Sequence, residues 1–408
     1  MGSVRALLLE NPHANADHAL EEAGLEVVRH PGAMSEDELV AALDGVQVLG
    51  IRSKTTVSRR VLEAAPDLLT IGSFAIGTNQ IDLRTAAHRG VAVFNAPFSN
   101  TRSVVELALG EIIALSRRLT VVDDALHAGI WQKSAAGAHE VRGRTLGIVG
   151  YGNIGTQLSV LAEALGMRVV FYDMAEKLAL GNARRMGSLE ELLDIADVVT
   201  LHVDGRAGNA GMFGHEQFDR MRPGSIFLNL SRGFVVDYGA LREHILSGKI
   251  VGAAVDVFPD EPMRTGDPFD SELRGLPNVI LTPHVGGSTE EAQEGIGAFV
   301  SNKLARYVLE GTTTMSVNVP QLALDPAPAA RYRVTYLHRN TPGALALVNQ
   351  AFAESGANIE GQILGTAGDL GYVITDIGGQ LPDEARQALD EVPDTIRLRV
   401  LRAGATDA

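Results

Sequence analysis

Residues 145–173, TLGIVGYGNIGTQLSVLAEALGMRVVFYD, constrain the fold more than any other stretch of the chain. An apolar run at 146–149 leads straight into Gly150-Tyr151-Gly152-Asn153-Ile154-Gly155, after which Ile154, Leu158, Leu161 and Leu165 recur at helical spacing. A second apolar run, 168–172, ends on Asp173. That order predicts a βαβ unit. Its glycines permit a tight turn and let backbone approach a pyrophosphate, whose charge sits on N–H groups at a helix start, while Asp173 accepts from a ribose hydroxyl. The alternative is glycines that only let helix and strand pack, and it leaves the acid unexplained. Gly150, Gly152, Asn153, Ile154, Gly155 and Asp173 are therefore read as dinucleotide-binding. A carboxylate at 173, followed by Met174 rather than an arginine, repels the 2′-phosphate of NADP and favours NAD; Arg184 and Arg185 are the next cations along.

A chain of 408 residues holds two or three domains. Its net charge of −15 disfavours nucleic acid and anionic membranes, so an anionic small molecule must be drawn in by a local cluster of Lys and Arg. There is no cysteine, hence no disulfide and no thiolate metal site, and no metal is expected. No apolar run reaches membrane-spanning length, and the first residues lack a signal peptide's apolar core, which together predict a cytoplasmic enzyme.

From residue 1 to about 95, apolar runs at 4–9, 25–28, 46–51, 68–73 and 91–95 alternate with helical patterns, one opened by the capping box Ser35-Glu36-Asp37-Glu38. Arg52-Ser53-Lys54 stand where a strand ends, the place where doubly wound sheets bind ligands; a plain solvated loop is the competing reading. Residues 73–79, ending in Asn79, form a small loop whose N–H groups can meet a carboxylate or simply turn the chain. A long helix is expected over 100–117. Trp131, the only tryptophan, and Lys133 lie in a glycine-rich connection where an indole has no obvious core, which marks an interface.

Beyond Asp173, strands are expected at 197–202, 225–229, 252–257 and 279–282. The tails of the last three carry Arg232, Glu261 and His284, and Asp256 beside Val257 is read as a further cofactor contact. Parallel strands put their carboxyl ends on one edge, so a cation, an acid and an imidazole emerge beside the glycine loop. Singly, each has an ordinary explanation as cap, solvated turn or unremarkable histidine. Jointly they suit dehydrogenation of a 2-hydroxy acid: His takes the hydroxyl proton, the carboxylate holds its tautomer, and Arg offers a fork to the substrate carboxylate.

A capping box at Ser288-Thr289-Glu290-Glu291 opens a helix running to Gly311, long enough to return to the first domain. Residues 319–330 turn to Pro and Ala and read as a linker. Residues 331–408 then show the pattern βαββαβ, with polar groups at His338, Asn340 and Asn358 placed to gather at one edge where a small amino acid could be held; a plain folding module is the competing reading.

The runs IGTNQIDL, NAPFSNTRSVVEL, LGIVGYGNIGTQL, SRGFVVD, DVFPDEP, LTPHVGGSTEEAQ, HRNTPGAL and GANI resemble the D-3-phosphoglycerate dehydrogenase family, in its shorter form ending in an ACT regulatory domain. The likeness spans almost the whole sequence, and the central runs are shared across D-2-hydroxyacid dehydrogenases. It implies two doubly wound α/β domains, a Rossmann-type NAD domain at 100–286 and a flavodoxin-like substrate domain at 1–99 with 287–325, followed by an ACT domain at 331–408. It implies NAD-dependent oxidation of 3-phospho-D-glycerate to 3-phosphohydroxypyruvate, feedback by L-serine and a homotetramer. By the same likeness Arg232 binds the substrate carboxylate, Glu261 pairs with the acid/base His284, Asn79 faces the carboxylate, and Arg52, Ser53 and Lys54 form the phosphate segment. Trp131 and Lys133 reach the neighbouring subunit's site; His338, Asn340 and Asn358 bind serine between paired ACT domains. The rivals are a reductase of 2-oxoglutarate, hydroxypyruvate or glyoxylate, and a non-enzymatic NAD-sensing protein of co-repressor type. One departure stands out: residues 204–209, DGRAGN, replace the family's usual proline and threonine near the cofactor.

Overall fold

Val, Ile and Leu runs of three to six residues, bounded by Gly, Asn and Asp, build the first sheet from β1 (Val4–Leu9), β2 (Leu25–His30), β3 (Val48–Ile51), β4 (Thr70–Ser73) and β5 (Ala92–Phe94). The computed structural model describes residues 4–262, 266–379, 381, 383–392 and 394–402. All five strands are parallel in the order β2-β1-β3-β4-β5, the flavodoxin-like arrangement. Both faces are covered, which is why β3, β4 and β5 are buried along their whole length. Glu38 accepts from the N–H and hydroxyl of Ser35, as the capping box requires.

This sheet belongs to a compact unit formed by residues 1–99 and 293–408. The Glu290–Glu310 helix supplies the return, with Ile296, Val300 and Leu304 buried in the same core as Ala92 and Phe94. Its cap is Thr289, whose hydroxyl accepts from Ala292 N, rather than Ser288.

The C-terminal strands β13 (Ala330–Arg339), β14 (Asn358–Ala367), β15 (Leu370–Gly378) and β16 (Thr395–Arg402) form an antiparallel sheet in the order β14-β15-β13-β16. The Ala344–Glu354 and Asp383–Asp390 helices complete the βαββαβ pattern; Pro382, the expected start of the second, lies outside the described residues. Leu337, Leu370, Tyr372 and Ile374 of this sheet share a core with the doubly wound sheet. The end of the Glu290–Glu310 helix is capped by it: Arg399 donates to the carbonyls of Tyr307 and Val308, Arg333 to that of Glu310 (3.2 Å), and Tyr372 to that of Gly311 (2.7 Å). Two cations at a helix C-terminus oppose its dipole favourably. Arg333 also makes a buried two-pronged bond to Asp376 at 2.7 and 2.9 Å. The expected linker is laid against this sheet, with Ala327 N on Asp376 and Leu322 and Leu324 packed in the shared core.

The second unit, residues 100–292, carries β6 (Thr145–Val149), β7 (Arg168–Tyr172), β8 (Arg184–Arg185), β9 (Val198–Leu201), β10 (Ser225–Asn229), β11 (Ile250–Val255) and β12 (Val279–Leu281). Their order is β12-β11-β10-β9-β6-β7-β8, all parallel, which is the Rossmann order with one strand added. The Thr101–Ser116 helix buries Val105, Ala108, Ile112 and Leu115 against this sheet. Arg184 and Arg185 turn out to be an edge strand. The Leu119–His127 helix, absent from the sequence reading, buries none of its residues. Its apolar side chains Leu119, Val122 and Leu126 lie exposed with Ile130 and Trp131, the last 81 % accessible.

Candidate active site

In the second unit the glycine loop follows β6. Gly150 has φ +93, and a Cβ there would lie 2.6 Å from the His202 carbonyl oxygen, so only glycine fits the turn. Gly152 has nothing within 4 Å of where a Cβ would be, immediately before the Asn153–Ala164 helix whose first N–H groups lack intrahelical partners. That open cradle at a helix start fits a pyrophosphate. Asn153 and Ile154 form the first helical turn, and Gly155 packs beneath Gly150. Asp173, at the tail of β7, accepts from Tyr151 N and Ala175 N, both at 2.8 Å, which fixes its carboxylate beside the cradle. Arg185 bonds the carbonyls of Asp173 and Ala175 at 3.4 and 3.5 Å. In the departing loop Arg206 grips Asp204 through two donors, and Asn209 closes the turn onto Asp204 O at 2.9 Å.

The tails of β10, β11 and β12 hold the three expected groups. His284 Nδ1 lies 2.8 Å from Glu261 Oε2, both side chains being partly open to solvent. Glu261 Oε1 also accepts from Phe258 N at 3.1 Å. Burial works against its charge, but the bond from His284, the Phe258 N–H and the charge of Arg232 outweigh it and hold the carboxyl below its ordinary range. Ionised Glu261 keeps the proton on Nδ1, so in the neutral ring Nε2 is left as the acceptor. Arg232 is tied back by Nη1 to Ser231 O at 2.7 Å, and Asn229 Nδ2 holds the Arg232 carbonyl at 3.1 Å. A Cβ at Gly233 would stand 1.9 Å from the Phe258 carbonyl carbon; glycine lets the loops bearing Arg232 and Glu261 touch.

Asp256 grips the His284 loop: Oδ1 accepts from Thr282 Oγ1 (2.6 Å) and Val285 N (2.8 Å), Oδ2 from Gly286 N (2.8 Å). The reason is positional. β12 lies beside β11, so the free donors nearest the Asp256 carboxylate are those of the loop leaving β12. His284 itself sits in the left-handed region at φ +54, a conformation that needs such bracing.

A second acid was missed altogether. Glu111, 3 % exposed, lies on the stripe Val104, Ala108, Glu111, Leu115 that faces the sheet, and neither of its oxygens has a partner among the described residues. Burial, with a smaller push from Asp256, raises its carboxyl to about 8. Only the helical period could have flagged it, as an acid on the buried face of the helix.

In the first unit Arg52 is half-buried, and Ser53 and Lys54 are exposed. Arg52 Nη2 donates to Gln293 Oε1 at 2.7 Å, and Gln80 Nε2 bonds both the Arg52 carbonyl and Ser73 Oγ. Asn79 is exposed, and its side chain makes no hydrogen bond among the described residues. The 53–55 backbone is held by Glu10, which the sequence reading also missed. Lys133 is exposed beside Trp131.

The polar groups of the C-terminal sheet do not gather as expected. His338 pairs with Gly371 at one end of β15 and Asn358 with Gly378 at the other. Seven residues of strand separate them, roughly 24 Å. β13 and β14 both run antiparallel to β15, so the end of one and the start of the other cannot meet in one protomer. The His338 ring is buried against Tyr336, with Nδ1 on the Arg339 carbonyl at 2.7 Å. Asn340 Nδ2 reaches Gly368 O at 3.4 Å, and Asn358 Nδ2 reaches Glu360 at 2.7 Å.

Two family models match: the NAD binding domain of D-isomer specific 2-hydroxyacid dehydrogenases over residues 109–286, and an AHAS small subunit-like ACT domain over 334–397. D-3-phosphoglycerate dehydrogenase of Escherichia coli K12 is 46 % identical over 401 residues, covering 98 % of this chain and 97 % of that protein. The enzyme of the same name from Dictyostelium discoideum is 44 % identical over 398 residues, with the same coverage. Among solved structures, a glyoxylate reductase from Paecilomyes thermophila superposes with TM-score 0.69 at 25 % identity, over 78 % of this chain and 99 % of its own. The glycine cradle and the His284–Glu261 pair lie within the stretch matched as an NAD binding domain, the C-terminal sheet overlaps the matched ACT domain, and the chain belongs to the D-3-phosphoglycerate dehydrogenase family of NAD-dependent D-2-hydroxyacid dehydrogenases.

Proposed function

We propose that this chain oxidises 3-phospho-D-glycerate to 3-phosphohydroxypyruvate with NAD, the first step of L-serine synthesis, in the cytoplasm. The observation that carries the chemistry is the 2.8 Å bond from His284 Nδ1 to Glu261, which leaves Nε2 able to take a hydroxyl proton. Bound NAD supplies the hydride acceptor. Gly150, Gly152, Asn153, Ile154 and Gly155 hold its pyrophosphate through backbone N–H groups, and Asp173 holds its ribose. Nε2 removes the substrate's hydroxyl proton, and Glu261 stabilises the imidazolium that results. Arg232 holds the substrate carboxylate, orienting the carbon to be oxidised. Arg52, Ser53 and Lys54 take the phosphate. The likeness to enzymes named for that substrate over 98 % of the chain supports the choice over unphosphorylated 2-oxo acids, and the His284–Glu261 pair supports an enzyme over a non-catalytic NAD sensor.

L-serine is assigned to His338, Asn340 and Asn358. Their separation in one protomer supports a site completed by a second ACT domain, and the exposed apolar group of Leu119, Val122, Leu126, Ile130 and Trp131 supports a second protomer contact that presents Trp131 and Lys133 to a neighbour. Both together give a homotetramer. An NAD-linked assay across 2-hydroxy acids with and without the phosphate, repeated with L-serine, tests the reading. The phosphorylated acid should be turned over preferentially and inhibited by serine. Preference for an unphosphorylated acid would reject the substrate, and indifference to serine would reject the effector.

A further inference from the structure

Arg52 and Lys54 make no ion pair among the described residues, in a chain whose acids outnumber its bases by fifteen. The acid closest to their backbone is Glu10, one residue past β1, and it is not spent on either cation. Its Oε2 accepts from Ser53 N at 3.1 Å and Lys54 N at 3.0 Å, and its Oε1 from Thr55 N at 2.7 Å. Three successive N–H groups converging on one oxyanion make a receptor of the kind that binds free anions elsewhere, and here the chain fills it with its own carboxylate. Glu10 is 9 % exposed and held in the left-handed region at φ +66, with its own N–H shared between the carbonyls of His30 and Gly32. Gln80 fastens the Arg52 carbonyl and Gln293 its guanidinium. The segment is therefore gripped from beneath through its backbone, while the charges of Arg52 and Lys54 stay available.

We propose that Glu10 is the positioning residue for recognition of the substrate's phosphate: it touches no substrate, and by filling the 53–55 receptor it sets the spacing of Arg52 and Lys54 that a phosphate requires. This rests on the substrate being a phosphorylated 2-hydroxy acid. Removing the carboxylate has two consequences. The segment loses its anchor, and the emptied receptor becomes a competing anion site under the loop.

Steady-state kinetics of the full-length protein test the role with Glu10→Ala and Glu10→Gln, comparing 3-phosphoglycerate with glycerate and with NAD. A displaced charge clamp raises KM for the phosphorylated acid about 10- to 30-fold in Glu10→Ala, with kcat changed by less than about 3-fold. KM for NAD and for glycerate stays where it was. Glu10→Gln, which keeps size and one acceptor, falls between, and added formate or acetate partly restores KM in Glu10→Ala by refilling the receptor. Thermal melts identify a variant that has lost its fold, and Glu10→Gln then carries the comparison. A wild-type enzyme that needs the phosphate, with a Glu10→Gln variant that keeps that need undiminished, overturns the role of Glu10 alone. Equal losses on both acids overturn it too, and a wild-type enzyme indifferent to the phosphate overturns the substrate reading beneath it.

Discussion

Two loops of this molecule, one in each unit, are gripped by the same device. In the second unit Asp256 takes Thr282 Oγ1, Val285 N and Gly286 N; in the first Glu10 takes Ser53 N, Lys54 N and Thr55 N. In each case a buried acid just past the end of a parallel strand binds the loop leaving another strand, and that loop carries the groups assigned to the substrate. The difference lies in what the gripped side chains do next. His284 is committed to Glu261, a pair that can take up and release a proton, whereas Arg52 and Lys54 carry no ionic partner among the described residues. Chemistry needs a tuned pair; capture of an anion needs charge left unspent. In both, fixing the loop through its backbone leaves the side chains free for their task.

The comparison breaks hardest at His284. His284→Asn removes the proton acceptor and is expected to lower kcat by about 10³-fold while NAD binding, followed by fluorescence titration, is unchanged. Unaltered turnover would remove the general-base assignment. Asp256→Ala should release the loop bearing the left-handed His284 and reduce kcat by about 10- to 100-fold, since a displaced base loses alignment rather than chemistry. If Asp256 served only the cofactor, KM for NAD would rise instead and kcat would hold.

Glu111 sharpens the comparison from the opposite side, because it is a buried acid that grips nothing among the described residues. Its folded-state pKa of about 8 stands above its ordinary 4.5, so the native protein holds an extra proton between those values. The associated stability is fully present below about 4.5, falls as pH rises, and is gone by about 8. At roughly 1.4 kcal/mol per pH unit this amounts to a few kcal/mol, and Glu111→Gln, which does not titrate, should melt higher than the parent at pH 8 with little difference at pH 5. Parallel melting curves across that range would contradict it.

Much of this architecture was legible because it is periodic and local. The strand, glycine loop, helix and acid of residues 145–173 determine one another within thirty positions, and the tails bearing Arg232, Glu261 and His284 follow from counting parallel strands. Apolar spacing likewise located most strands of all three sheets. The Leu119–His127 helix escaped because none of its apolar residues is buried, and Arg184–Arg185 because a two-residue edge strand has no period.

What the sequence determined by itself was thus the inventory: which elements form, which side chains sit at their ends, and which cofactor they suit. Only the tertiary structure decided how those ends are held. Glu10 binds residues 43 to 45 positions away and Asp256 those 26 to 30 away, while the β15 register sends Asn358 and His338 to opposite ends of a strand. No periodicity encodes such pairings. A carboxylate's partner is set by which backbone N–H groups the finished sheets leave unpaired beside it, and that is known only once every strand is in place.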